Sequence, residues 1–331
     1  MNEDAIIAAV KALVEVPCHP ERSRRAERSR LKIGIGDDAA LWQPSRSHRS
    51  AISTDMLVEG VDFTRDAMSL EDAGWRAMAA NLSDLAAMGA RPVLATIALG
   101  LPQASRLEEV LEIYRGLADC AARYKLAIAG GDLSRSDAIV IAITVVGEIR
   151  PSNVKTRAGG RPGDVLAVTG ALGAARAGLE LTREFIPLEG LEEEALRAFR
   201  RPEARVAEGR FLAASRNVRA MMDLSDGLAT DVRRLAAASG CGAELDNVPV
   251  AQSARALCDA RKEDPLRFAL TGGEDFELLA AIRPRAFSHL AARYKASFGR
   301  ELAAVGVLRG QLGVAWNGQA LELSGWDHFA R

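Results

Sequence analysis

Cysteine and histidine are scarce, and their placement removes several chemistries at the outset. The four cysteines, Cys18, Cys120, Cys241 and Cys258, stand far apart with no Cys-x-x-Cys pair. That spacing argues against disulfides and a zinc site and fits reduced thiols. The four histidines do not form a His-x-x-x-His pair: His19 and His48 lie in polar stretches, His289 in a helical one and His328 near the C-terminal end. A Gly-x-Ser-x-Gly elbow and a Gly-x-x-x-x-Gly-Lys-Ser/Thr loop are both absent, so neither a hydrolase nucleophile nor a P-loop is on offer. No apolar run reaches the roughly 20 residues that span a bilayer. Met1-Asn2-Glu3-Asp4 opens the chain without the basic and apolar regions of a secretion signal. Charge of one sign is missing too: 43 basic residues against 44 acidic leave a formal charge of -1, with no footing for a nucleic acid or a membrane surface. The expectation is a cytoplasmic protein.

What the chain has instead is aspartate set beside glycine, serine or threonine at the ends of apolar segments. Ile33 to Leu41 reads Ile-Gly-Ile-Gly-Asp-Asp-Ala-Ala-Leu. Its glycines let the backbone turn tightly and approach a ligand, and two carboxylates follow. For an isolated Gly-Asp-Asp the better reading is a polar turn between strands. The pattern recurs, however, in Ser53-Thr54-Asp55, Ser83-Asp84, Gly130-Gly131-Asp132, Asp223-Leu224-Ser225-Asp226-Gly227 and Gly272-Gly273-Glu274-Asp275. Recurrence is what turns a turn signal into a ligand signal.

At 331 residues, 48% hydrophobic and 26% charged, the chain suits a globular protein of two domains. Apolar spacing predicts a helix over 4–15. The arginine-rich run 19–32 has no apolar period and reads as a solvated loop, with a phosphate clamp as the alternative. A strand is expected over 51–58, then a helix capped by Ser69 and ending near Gly89, with Asn81 and Asp84 sharing one face. Strands over 92–99, 126–129 and 138–149 and a helix over 107–125 complete the first half. The segment 150–162 resembles a linker, so the domains are 1–150 and 151–331. In the second half a strand over 164–169 turns into a helix. The run 221–228 is a strand entering the helix 229–238, and 269–279 repeats that strand-into-helix design around Gly272-Gly273-Glu274-Asp275.

Magnesium takes oxygen ligands at roughly 2.0 to 2.1 Å and keeps several waters, so aspartates together with bound phosphates suit two or more ions. Carboxylate-rich sites without a protein nucleophile point to phosphoryl transfer, where the protein supplies position and charge neutralisation. Gly130 and Gly131 then clear side chains from the path of a polyphosphate, and Asp132 takes a bridging metal. Asp84, near a helix C-terminus where the macrodipole disfavours an anion, needs a positive partner. Ser225 or Asp226 alone could be a helix cap, but a cap does not require both Asp223 and Asp226. The expectation is that these carboxylates gather around shared ions.

Gly36-Asp37-Asp38-Ala39-Ala40-Leu41, Ser53-Thr54-Asp55, Asn81 to Ala90, Gly130-Gly131-Asp132, Asp223 to Leu228, Gly272 to Glu277 and Trp326-Asp327-His328-Phe329 stand in the order found in thiamine-monophosphate kinases. The resemblance covers nearly the whole chain. It implies a two-domain α+β fold shared with aminoimidazole ribonucleotide synthetase, with an N-terminal sheet domain forming a homodimer and a C-terminal α/β domain. The implied activity is ATP-dependent phosphorylation of thiamine monophosphate to thiamine diphosphate. By the same resemblance Asp38, Ser53, Thr54, Asp55, Asp84, Asp132, Asp223 and Asp226 would hold magnesium ions. Catalysis would depend chiefly on Asp84, Asp132 and Asp223. Gly131, Asp132, Arg157 and Ser225 would meet ATP, with Tyr114 nearby, and Glu274 and Trp326 would face the thiamine portion.

Two departures stand out. Val61-Asp62-Phe63 carries an acid where the resembled family has histidine, so Asp62 is expected either to contact the cationic thiazolium or to turn away from the substrate. The run 19–32 is longer and richer in arginine than the resemblance leads one to expect. Two rival readings share the acidic motifs: another ATP-using enzyme of the superfamily, selenophosphate synthetase-like or of the purine pathway, and a non-catalytic magnesium-nucleotide-binding protein. Cys18 lacks the glycine-rich context of the first rival, and ADP formation separates the second.

Overall fold

The structure is a computed structural model that describes residues 3–15, 31–33, 35, 39–323 and 325. The stretch 19–30 of the arginine-rich run, Asp38 and Trp326 lie outside the described residues. The chain divides into two compact units, Met1–Leu85 with Ala90–Pro151, and Ala86–Gly89 with Ser152–Arg331.

The first unit is built on a four-stranded sheet. Its strands are β3 (Arg49–Val58), β4 (Arg91–Leu101), β5 (Ala127–Arg135) and β6 (Val140–Ile149), in the order β3-β6-β4-β5. The short strands Leu31–Ile33 and Leu41–Trp42, β1 and β2, pair separately. Alternation decides what each sheet face does. On β6, Ile141, Ile143 and Val145 are fully buried, whereas the intervening Ala142 and Thr144 are only half-buried. On the edge strand β3 that second face is open, with Ile52 69% and Met56 60% exposed.

Helix α1 (Glu3–Glu15) packs on α3 (Leu107–Tyr124), and α2 (Leu70–Met88) crosses α3 backbone to backbone. Ser69 caps α2, its hydroxyl accepting the Asp72 amide at 3.0 Å. The helix α2 is buried on most sides, with Arg76, Asn81 and Ser83 all enclosed. The reason is the crossing. A Cβ on Gly74 would lie 2.1 Å from the Ile113 carbonyl, and one on Gly116 would lie 1.8 Å from the Glu71 carbonyl. Two helices that close leave no solvent face between them.

Gly130-Gly131-Asp132 was expected to close a strand ending at 129. The strand runs on through it, because the parallel ladder with β4 continues as Ile97↔Gly131 and Ala98↔Asp132 after a bulge at Ala95/Thr96.

The second unit holds a seven-stranded sheet of β7 (Val165–Val168), β8 (Val218–Asp223), β9 (Gly242–Leu245), β10 (Leu278–Ile282), β11 (Ala303–Arg309), β12 (Val314–Trp316) and β13 (Gln319–Ala320). Their order is β13-β12-β9-β11-β7-β10-β8, and only the β12–β9 pair is parallel. Leu166, Val168, Met222 and Leu279 of the sheet form one core with Leu228, Val232 and Leu235 of the helix α7 (Leu228–Ala238). A second cluster lies among the helices α4 (Ala174–Arg183), α5 (Glu192–Arg200) and α8 (Gln252–Arg261). Helix α6 (Val206–Ala213) lies between α5 and β8 in the chain.

The strand-into-helix reading of 269–279 is reversed: the helix α9 (Pro265–Thr271) comes first, then the Gly-Gly-Glu-Asp turn, then β10. Asp264 starts α9 by accepting the Leu266 amide at 2.9 Å, with Pro265 preset for the first helical position. Ala269 and Leu270 are therefore a helix end, not a strand.

The glycine crossing supplies a test. Gly116→Ala is expected to cost the first unit about 1–3 kcal/mol, the usual range for overpacking, read as a lower urea midpoint; an unchanged midpoint would mean that the helices can part freely.

Candidate active site

In the first unit, β3 and α2 bring together three of the expected oxygen ligands. The Ser53 hydroxyl donates to the Asp84 carboxylate, and Asp55, two residues on, shares the Ser53 face of the strand. Asn81, one helical turn before Asp84, accepts the Asp55 amide at 2.9 Å while its own amide donates to the Ala77 carbonyl at 2.9 Å. Asp84 is half-buried and Asp55 exposed. Thr54 is not part of this group: its hydroxyl donates to the Ile143 carbonyl at 2.9 Å and meets the Thr144 hydroxyl at 3.2 Å, on the other sheet face. Asp132 stands apart as well. It is on β5, the opposite edge from β3, in register with Ala98, Ala142 and Met56. Three strand spacings, about 14 Å, separate the two edges. Gly131 is demanded by packing, since a Cβ there would lie 1.9 Å from the Ile97 carbonyl, whereas a Cβ on Gly130 would meet open space.

In the second unit, Asp223 ends β8, buried, and the turn Leu224–Gly227 leads into α7. Asp231, fully buried in the first turn of α7, accepts the amides of Ser225 and Asp226, both at 3.1 Å. This carboxylate sets the turn's shape. Arg234 reaches back to both acids, donating to Asp231 at 2.8 Å and also to Asp226. The C-terminal segment passes alongside: the Gly325 amide donates to the Thr230 hydroxyl at 2.8 Å, and a Cβ on Gly325 would collide with the Asp226 carbonyl. Trp326 follows directly in the chain.

The Gly272–Phe276 turn joins the same cluster. The Glu274 amide donates to the Ser225 carbonyl at 2.7 Å, and the Phe276 amide to the Leu224 carbonyl at 3.0 Å. Glu277 is buried and receives Thr169 at 2.6 Å, Arg205 through two nitrogens at 3.0 and 2.7 Å, and Arg300 at 2.9 Å. Burial pushes its carboxyl up, but the Arg205 charge and hydrogen bonds, with Arg300, outweigh that and hold it below the ordinary value. Asp275 and Glu277 also line a cleft of ≈ 650 Å³; among its arginines, Arg205 is matched by Glu277 and Glu203, and Arg300 by Glu277.

The remaining expected residues are spread more widely. The Asp62 carboxylate accepts the Val58 amide at 2.8 Å, so it is engaged in its own turn. Tyr114 is buried on α3, and desolvation pushes its phenol up to about 12. Arg157 is tied by its carbonyl to the Ser239 hydroxyl at 2.9 Å, at the far end of α7 from Ser225, about 16 Å along the helix. Asp231, Arg234, Asn81, Asp275 and Glu277 did not figure among the expected site residues. Asp231 had a readable signal, an acid in the first helical turn after a glycine, where free amides attract a carboxylate.

Among the described residues no three acids or histidines approach as a ready metal cage. The donors do fit an ion that keeps waters and takes phosphate oxygens: hydroxyl and carboxylate at Ser53 and Asp84, carboxylates at Asp223 and Asp226, with an arginine now holding Asp226. Crowding is visible in Asp231. Burial first, then the Asp226 charge, pushes its carboxyl up to about 7. Because the folded value lies above the ordinary 3.8, the stability Asp231 contributes is complete below about pH 4 and lost as pH rises through 7. In the metal-free protein, wild-type stability relative to Asp231→Asn should therefore decline across that window in denaturant titrations; parallel profiles would refute the coupling.

Comparison with known proteins identifies the family. Residues 36–149 match the AIR synthase related protein, N-terminal domain, and residues 161–306 the AIR synthase related protein, C-terminal domain. The thiamine-monophosphate kinase of Rhodopirellula baltica is 39% identical over 273 residues, 80% of each chain. The crystal structure of thiamine-monophosphate kinase from Stenotrophomonas maltophilia superimposes with a TM-score of 0.83 at 32% identity, covering 97% of this chain and 98% of that one. The structure of AaThiL complexed with AMPPCP and TMP gives 0.77 at 31% identity, over 99% and 97%. With this identity over four-fifths of the chain and the same fold along nearly all of it, the chain belongs to the thiamine-monophosphate kinase family.

Proposed function

We propose that the protein transfers the γ-phosphoryl group of ATP to the phosphate of thiamine monophosphate, giving thiamine diphosphate and ADP. The observation that carries this reading is the turn Asp223–Asp226, shaped by Asp231 and hydrogen-bonded through Ser225 to the turn of Glu274. It sets paired carboxylates beside a second polar loop, in a chain whose relative is solved with AMPPCP and TMP.

A phosphate oxygen of thiamine monophosphate forms the new bond to the γ-phosphorus in line with the β–γ bridging oxygen, whose bond breaks to release ADP. That attacking oxygen is anionic near neutral pH, so no protein base is required. The obstacle is repulsion between two polyanions, several kcal/mol at contact with an effective dielectric near 20. Magnesium, when bound, supplies the neutralising charge. Asp38, Ser53, Thr54, Asp55, Asp84, Asp132, Asp223 and Asp226 are the proposed ligands, with turnover resting most on Asp84, Asp132 and Asp223. Ser225, Gly131, Asp132 and Arg157 orient the nucleotide, Tyr114 backs its site from within the core, and Glu274 and Trp326 receive the thiamine portion. ATP as donor places the reaction in the cytoplasm.

The working form is a homodimer that covers the open face of the first unit's sheet. Support comes from Ile52 and Met56, large apolar side chains left 69% and 60% exposed on one strand. Thr54 and Asp132 belong to the same face by register, so a second copy there would draw oxygen ligands from both sheet edges into one interface.

Purified protein with ATP and magnesium should form ADP only when thiamine monophosphate is added; ADP release indifferent to that substrate would sink the assignment. Asp84→Asn and Asp223→Asn should each lower turnover by about 10²–10³-fold with the fold intact by circular dichroism, and chelation of magnesium should abolish it. Ile52→Lys with Met56→Lys should shift sedimentation toward monomer, and an unchanged profile would place the dimer contact elsewhere.

A further inference from the structure

We propose that Asp275 is a positioning residue for the acceptor substrate: by clasping the start of helix α4 it holds the Gly272–Phe276 turn in the shape that presents Glu274 beside Ser225. The proposal rests on the kinase reading above and assigns the Asp of Gly-Gly-Glu-Asp a task separate from that of its neighbour.

The turn is conformationally costly. Glu274 has φ 65° and Phe276 φ 48°, left-handed values that crowd any residue bearing a Cβ. Such a backbone persists only where the surroundings over-determine it. Its two ends are tied by main-chain bonds, Glu274 to Ser225 and Phe276 to Leu224, and Glu277 beyond it is locked by Thr169, Arg205 and Arg300. Between the two left-handed residues sits Asp275. Its carboxylate oxygens accept the Gly173 amide at 3.0 and 2.9 Å, across 102 residues of chain. Gly173 is the N-cap of α4, and amides at a helix start have no partner within their own helix. The acid therefore fills a fixed socket in a ten-residue helix packed into the apolar core by Ala177 and Leu181.

Geometry separates this role from general stabilisation. A rotation at Glu274 or Phe276 toward ordinary φ would pull the Glu274 amide from the Ser225 carbonyl and re-aim the residue, while the Asp223–Asp226 turn would keep its own tether, Asp231. Loss of Asp275 should then impair the acceptor's binding and spare the nucleotide's.

The test uses steady-state kinetics of the full-length protein, varying each substrate in turn. Asp275→Ala should raise KM for thiamine monophosphate about tenfold, with KM for ATP within about twofold; Asp275→Asn, which keeps one oxygen for the Gly173 amide, should show a rise of about threefold. Asn247→Ala, which removes a 2.9 Å bond to the Ala304 carbonyl elsewhere in the same unit, is the control and should not split the two constants. Equal shifts in both constants, or no shift, would overturn the proposal, and Asp275→Asn decides it if the alanine variant does not fold. A wild-type protein that makes no ADP with thiamine monophosphate would overturn the kinase reading itself, and this proposal with it.

Discussion

Carboxylates crowded together at the ends of strands repel one another and lose water, and every part of the candidate site answers to that constraint. The chain meets it with groups of its own. Asp231 is matched by two backbone amides and Arg234, Asp226 by the same arginine, and Asp84 by the Ser53 hydroxyl. These partners differ in what they leave available. Amides are fixed and shape the turn, whereas the arginine holds its acids from the half-exposed end of a long side chain.

The four-stranded sheet separates two tasks by simple alternation. Ser53 and Asp55 point toward α2, where Asn81 and Asp84 meet them, while Ile52, Thr54 and Met56 point the other way. A single ten-residue strand thus carries polar chemistry on one face and an apolar contact surface on the other. A shift of one residue in register would exchange the two. The ten-residue pairing of β3 with β6 resists such a shift, because it would turn the buried Leu57 out to the open face.

The second unit uses a different device. The turn of Glu274 lies between a helix end and a strand start, so nothing in regular secondary structure holds it. Its hold comes from long-range partners: Leu224, Ser225, Gly173, and the Arg205 and Arg300 pair on Glu277. Breaking a buried ion pair by removing one partner leaves an uncompensated charge, so the Glu277 cluster is a rigid floor on which the strained turn can rest.

Much of this was legible beforehand. Periodicity and capping located α1, α2, α3 and β6 to within a few residues, because amphipathic spacing and a Ser69 cap are local signals. The order of the acidic motifs sufficed to recognise the family, since no one of them is specific but their succession is. The failures were of another kind. The direction of the chain through 269–279, the passage of β5 through Gly130–Asp132, and the enclosure of Asn81 all depend on neighbours remote in sequence. So do the separate faces of Thr54 and Ser53 and the clasp of Asp275. What the amino-acid order determined by itself was which oxygen-bearing residues exist and which short segments carry them, because propensity, caps and glycine turns act over a few residues. Only the tertiary structure decided which of those oxygens meet, because strand register and side-chain partners more than 100 residues apart are set when the chain packs.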